Sequence, residues 1–137
     1  MEKLVMKYRN KEQYSLNCAE AILYAANEHY QIGLSRDALK MVAGFGGGVK
    51  EGHLCGTVSG VVSVLSVLFK DKVVDGVNLL DKTIKDFKYE FRKRYQSIDC
   101  NYLLDHHKDE VLGCDKLIVE SGVILQEIID KQLTKVI

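Results

Sequence analysis

The chain contains no proline in 137 residues. Proline breaks helix interiors, so its absence leaves long helices uninterrupted. Net charge is also absent, since 19 Lys and Arg balance 19 Asp and Glu. That excludes an overall bias toward nucleic acid, acidic membranes or acidic substrates. The first ten residues, MEKLVMKYRN, hold no apolar stretch of the kind a secretory signal carries. The expected location is the cytoplasm, where stable disulfides are rare. No Cys-x-x-Cys pair occurs, which removes the thioredoxin motif and the zinc-knuckle pattern. The phosphate-loop pattern G-x-x-x-x-G-K-[ST] is missing, and no βαβ pattern surrounds the glycines. No internal repeat, low-complexity tract or linker divides the chain, so residues 1–137 read as one domain.

What is present centres on Ala43 to Phe69, AGFGGGVKEGHLCGTVSGVVSVLSVLF. Five of the eleven glycines fall in nine residues: Gly44, Gly46, Gly47, Gly48 and Gly52. Glycine accepts positive φ and lets backbone or ligand come close. A shaped loop is therefore expected here, with Gly46, Gly47 and Gly48 as candidate cofactor-binding positions. Beyond Cys55, the small residues Gly56, Gly60, Ser63 and Val67 step by four, three and four. That period places them on one helical face, open to close approach by another helix. The apolar run is about 15 residues, short of the roughly 20 a membrane span needs. It predicts a central buried helix over about 55–69.

Other helices are signalled around it. Leu4, Val5 and Tyr8 suit a short opening helix. Asn17 with Glu20 resembles a capping box, placing Cys18 at the first helical position ahead of Ile22, Leu23, Ala26 and Tyr30. Ser35 is a good N-cap, with Leu34 and Leu39 placed as a hydrophobic staple and Met41 and Val42 continuing that face. Val73, Val77, Leu80, Ile84, Phe87, Phe91 and Tyr95 form the strongest helical periodicity, with Lys82, Lys85, Asp86 and Lys88 mainly on its solvated side. Asp99 can cap a short helix carrying Cys100, Tyr102, Leu103 and Leu104. Asp105–Gly113 reads as a loop. Cys114 then opens a last helix, with Leu117, Ser121, Ile124 and Ile128 on one stripe and Ile118, Leu125 and Ile129 beside it. The expected fold class is all-α, a bundle of five to seven helices.

Each of the four cysteines, Cys18, Cys55, Cys100 and Cys114, falls at a predicted helix start. Helix N-termini carry partial positive charge and unpaired N–H groups, which favour a thiolate. The thiolate is the form that attacks disulfides and binds metals. Against this stands the ordinary use of cysteine as a small buried hydrophobe. The intervening stretches of 36, 44 and 13 residues are long, so only the fold can bring the sulfurs together. His53 lies two residues before Cys55 and is a candidate to orient or deprotonate it. His106 and His107 are candidate metal ligands in imidazole chemistry, or ordinary exposed histidines. His29 suits a helix end as a cation.

Asn17-Cys18-Ala19, GFGGG at 44–48, Cys55-Gly56-x-x-x-Gly60 and two later cysteines occur in that order. This set resembles the redox-active protein family named for its C_GCAxxG_C_C pattern, and the likeness covers nearly the whole chain. The resemblance implies a small, mostly helical cytoplasmic protein whose redox role is inferred from four cysteines. Cys18, Cys55, Cys100 and Cys114 carry over by motif position. Thr57 departs from the family's usual alanine.

Three functions are then open. The first is a thiol redox protein, a thiol–disulfide oxidoreductase-like activity, with Cys55 attacking and a second cysteine resolving the mixed disulfide. The second is an electron carrier or scaffold in which Cys18, Cys55, Cys100 and Cys114 hold an iron–sulfur cluster or zinc. The third is a helical structural or interaction protein with inert core cysteines. The expected partner is an unnamed redox protein, with no nucleic acid and no membrane span; a homo-oligomer stays open.

Overall fold

The computed structural model describes residues 1–109 and 113–136. Among these residues seven α-helices make the fold all-α, with one two-stranded hairpin between the fourth and fifth. The helices are α1 (Glu2–Tyr8), α2 (Cys18–His29), α3 (Arg36–Lys40), α4 (Gly56–Phe69), α5 (Leu79–Tyr95), α6 (Cys100–His107) and α7 (Asp115–Val136). Among the described residues no helix is long and apolar enough to cross a membrane.

The start of α2 is set by side-chain chemistry. Asn17 accepts the Glu20 N–H at 3.0 Å, and Glu20 reaches back to the Asn17 N–H at 3.1 Å. This reciprocal cap satisfies two otherwise orphan donors. The Asn17 amide also donates to the Ala43 carbonyl at 2.8 Å, tying the helix start to the glycine-rich loop. We expect Asn17→Ala to destabilise the protein by about 1–2 kcal/mol, read by urea unfolding. An unchanged midpoint would mean that the cap contributes nothing.

The core forms where α4 lies along α2, with α5 and α7 closing the other sides and α1 bridging α2 and α7. Val58, Val61, Val64 and Leu65 of α4 are buried with Ala19, Ile22 and Ala26 of α2. Gly60 makes the close approach possible. A Cβ there would sit 2.7 Å from the Ala19 carbonyl oxygen and 3.1 Å from the Ala19 Cα. The small-residue stripe does not reach its predicted end, because Val67 is half exposed beyond the contact with α2.

Other departures have local causes. Val73 and Val77 are not the first turns of the long helix. They belong to the hairpin strands β1 (Val73–Val74) and β2 (Val77–Asn78), and both are exposed. Asp75 and Gly76 between them have φ of 52° and 76°. Two successive positive-φ residues form the tight turn whose twist matches paired strands, and Asp-Gly is its favoured sequence. The long helix starts at Leu79, where the Asn78 side chain accepts the Asp81 N–H at 3.1 Å. From there Phe87, Phe91 and Tyr95 are buried as the period predicts. Met41 points to solvent, while Val42 is buried. Asp105, His106 and His107 are helical rather than loop, as the last turn of α6. Residues 110–112 of the expected loop lie outside the described residues.

Candidate functional site

A short antiparallel ladder fixes two of the four cysteines. Cys55 N–H donates to the Ile98 carbonyl at 2.8 Å, and Cys100 N–H donates to the His53 carbonyl at 2.6 Å. Leu54 and Asp99 are the bridging pair between these bonds. Side chains alternate along extended backbone, so Cys55 and Cys100 emerge on the same face, on the side opposite Leu54 and Asp99. Each then leads straight into a helix: Cys55 is the N-cap of α4 and Cys100 is the first residue of α6.

Cys18, first in α2, reaches the same end of the bundle. A Cβ at Gly56 would lie 2.4 Å from the Cys18 sulfur, so that sulfur rests on the first turn of α4. The charge of Cys18 raises the thiol pKa of Cys55, Cys100 and Cys114 alike. Cys114 stands just before α7, and its carbonyl accepts the Ile118 N–H at 3.0 Å. Cys18 thus bears electrostatically on each of the other three, and all four are free thiols.

Their settings differ. Cys55 and Cys100 are buried, whereas Cys18 and Cys114 are half-buried. Burial pushes the Cys55 thiol up to about 11, although the N–H groups of Val58 and Thr57 at the start of α4 favour its thiolate. Burial is also the main cause that raises Cys100 and Cys114. For Cys114 the positive charges of Lys108 and Arg9 work against that rise. Arg9 is held in place, with Nε 2.7 Å from the Asp115 carboxylate and a guanidinium N–H donated to the Leu16 carbonyl at 2.8 Å. Cys55, expected as the attacking sulfur, is thus the most buried of the four.

The glycine loop is a structural wall of this site. Gly47, Gly48, Val49 and Lys50 have φ of 66°, 65°, 59° and 67°, a full turn in the left-handed sense. A β-branched residue such as Val49 rarely adopts this conformation, which costs on the order of 1–3 kcal/mol. A Cβ at Gly46 would lie 2.6 Å from the Asn17 amide, and one at Gly48 would lie 2.5 Å from the His53 nitrogen and 2.6 Å from the Cys100 Cβ. Gly46 and Gly48 thus pack against the cysteine-bearing segments themselves. Gly47 meets nothing within 4 Å. The open groove of about 570 Å³ next to the loop is lined by Asn17, Glu20, Ala43 and Lys50 among others, and by no cysteine.

The histidines take other parts. The His53 ring is exposed, 3.4 Å from the Glu51 carboxylate, and His53 serves the site through its backbone. His106 stacks on Tyr102 with ring centres 4.0 Å apart, its Nδ1 being 2.9 Å from the Tyr102 carbonyl. His107 places Nε2 2.9 Å from the Tyr95 carbonyl at the end of α5. His29 is the last residue of α2, edge-on to the Tyr30 ring. Among the described residues no group of three or more His, Cys, Asp or Glu side chains is arranged to hold a metal ion. Zinc or an iron–sulfur cluster on the four cysteines therefore has no preformed donor set here.

Sequence reasoning missed Arg9 and Lys108, which come from the residues just after α1 and α6 to act on Cys114. Neither has a sequence signal, since both lie among many surface cations. The sequence model of the C_GCAxxG_C_C family, described as putative redox-active proteins, matches residues 16–128. No curated protein and no solved structure matches the chain.

Proposed function

The chain belongs to the C_GCAxxG_C_C family of putative redox-active proteins, and from that premise we propose a thiol redox protein in which Cys114 attacks and Cys18 resolves. The observation that carries the reading is the Cys18 sulfur set against the first turn of α4 at Gly56, next to the N-cap Cys55, and its charge bears on each of the other three thiols. Crowded sulfurs repel as thiolates, and joining two of them removes the repulsion. Cys114 suits attack better than Cys55 because it is half-buried and because Lys108 and Arg9 oppose the rise that burial causes in its thiol. Cys55 suits it least, because a sulfur held near 11 carries little thiolate at neutral pH.

The chemistry is thiol–disulfide exchange. The Cys114 thiolate attacks one sulfur of a substrate disulfide, forms a mixed disulfide and expels the other substrate sulfur as a thiolate. The Cys18 thiolate then attacks the Cys114 sulfur, closing a Cys18–Cys114 disulfide and expelling the second substrate thiolate. The substrate gains two electrons and the protein loses two. A dithiol reductant returns the protein to its four-thiol form, which suits the reducing cytoplasm.

The test is equilibration with a glutathione buffer poised at about −180 mV, followed by mass spectrometry of the trapped protein. One intramolecular disulfide should form. Cys18→Ser should instead accumulate glutathione on Cys114, and Cys114→Ser should show little of either product. Four free thiols in the oxidised sample would rule the reading out.

A further inference from the structure

We propose that the groove between α5 and α7 binds an extended peptide segment of a partner protein, with the Gln132 side-chain amide pairing one of its peptide units. The evidence starts in the sequence. Leu117, Ser121, Ile124 and Ile128 step along one stripe of α7, and the next position on that stripe is Gln132. Gln132 is 2% exposed, at a place where an apolar residue is expected. Its amide brings two donors and an acceptor, which burial penalises unless they are paired.

The Gln132 amide has no hydrogen bond among the described residues. Other buried polar side chains are settled differently. Ser59, Thr83 and Ser121 each turn the hydroxyl to the carbonyl four residues before, and Thr57 Oγ1 is sealed from outside. Gln132 is neither paired nor sealed. It lines two cavities, a groove of about 440 Å³ between α5 and α7 and a smaller one of about 130 Å³ beside the hairpin. Lys82 lines both as well, so the two cavities meet at this pair. A buried polar side chain whose bonding capacity stays open at a cavity wall is the arrangement of a ligand site.

The lining points to a peptide. A primary amide presents a donor and an acceptor side by side, which complements the C=O and N–H of a peptide unit. Apolar surface lies on both sides of Gln132, with Ile124 and Ile128 in the groove and Val77 and Leu79 toward the hairpin. That suits the alternating side chains of an extended segment. The rims carry Lys82, Arg94 and Lys131 against Asp86, Glu90 and Glu127, so neither sign prevails. Three carboxylates at the rim oppose nucleic acid and other polyanions. Tyr89, 65% exposed at the edge, offers the kind of ring on which peptide interfaces are anchored. From Leu79 to Arg94 the helix rises about 22 Å, the length of about seven extended residues.

The inference does not depend on the thiol chemistry, because no cysteine lines either cavity. The probe is a phage-displayed library of random heptapeptides, selected on the full chain. Recovered peptides are then synthesised and titrated by NMR. They should carry apolar residues at alternate positions and shift the Gln132 side-chain amide signals. Gln132→Met keeps the length of the side chain and removes the amide. It should weaken binding at least about tenfold, and it should melt at or above the parent because the lost amide was unpaired. Should that variant fail to fold, Tyr89→Ala at the exposed rim serves, with weaker binding expected. Peptides enriched no better on the parent than on Gln132→Met overturn the proposal, and so does a clear fall in the melting temperature of Gln132→Met. Groove signals that move with oligothymidylate and not with peptide would assign a polyanion instead. Signals that move on dilution of the chain alone would assign the groove to a second copy. Either result overturns the peptide reading.

Discussion

Replacing Gly60 with leucine is expected to destabilise the protein by about 3 kcal/mol or more, or to prevent folding. Overpacking a close-packed core costs typically about 1–3 kcal/mol even when side chains can shift. Here the first atom added meets backbone rather than side chain. The new Cβ would stand 2.7 Å from the Ala19 carbonyl oxygen, well inside contact distance, and Ile22 Cβ would lie 3.2 Å away. Neither atom can rotate aside, so α2 and α4 would have to separate. That is the main helix contact of the bundle, and its separation would also displace Cys18 from the first turn of α4. Gly60→Ala should show the smaller effect in the same direction. Urea unfolding followed by circular dichroism measures both, and a leucine variant within about 0.5 kcal/mol of the parent would refute the close crossing.

Alkaline pH should weaken the fold through Cys55. Its thiol is pushed up to about 11 by burial, against an ordinary value of about 8.5–9. The folded state binds the proton more tightly than the unfolded chain, so this group contributes its full stabilisation below the unfolded value. The contribution fades as pH climbs from about 9 and is gone above about 11. At 1.36 kcal/mol per unit, about 2 kcal/mol should be lost between pH 8 and pH 10.5. Cys100 and Cys114 are raised in the same direction, and Tyr30 and Tyr95 are too. The tyrosines start from near 10, so their share is lost at still higher pH. The comparison that isolates Cys55 is the same pH series on Cys55→Ala. The parent should lose about 2 kcal/mol more than the variant across this window. Parallel losses would mean that Cys55 ionises as freely in the folded state as in the unfolded chain.

Much of the helical framework was legible because its signals are local. A capping box needs only residues 17 and 20, and the predicted box is present in full. Ser35 caps α3 as its position suggests, accepting the Ala38 N–H at 3.1 Å. The period from Phe87 to Tyr95 marks the buried face of α5, and the stripe through Leu117, Ser121 and Ile124 marks that of α7. The hairpin's signal is equally local. Val73 and Val77 fit a helical period by spacing, but Asp75-Gly76 demands two positive-φ residues that no helix interior allows.

The sequence by itself determined the all-α class, the caps of α2 and α3, the buried faces of α5 and α7 and the placing of four cysteines at or beside helix starts, because those depend on neighbours a few residues away. It also carried the family membership, since the motifs keep their order along the chain. Only the tertiary structure decided what surrounds each sulfur. Burial separates Cys55 and Cys100 from Cys18 and Cys114, and it is a property of what packs on top rather than of the residue before or after. The bond from Cys100 N–H to the His53 carbonyl joins segments 47 positions apart. Arg9 meets Asp115 across more than a hundred residues. Electrostatic effects on a thiol depend on distance through space, and in a chain of helices that distance is set by how the helices pack.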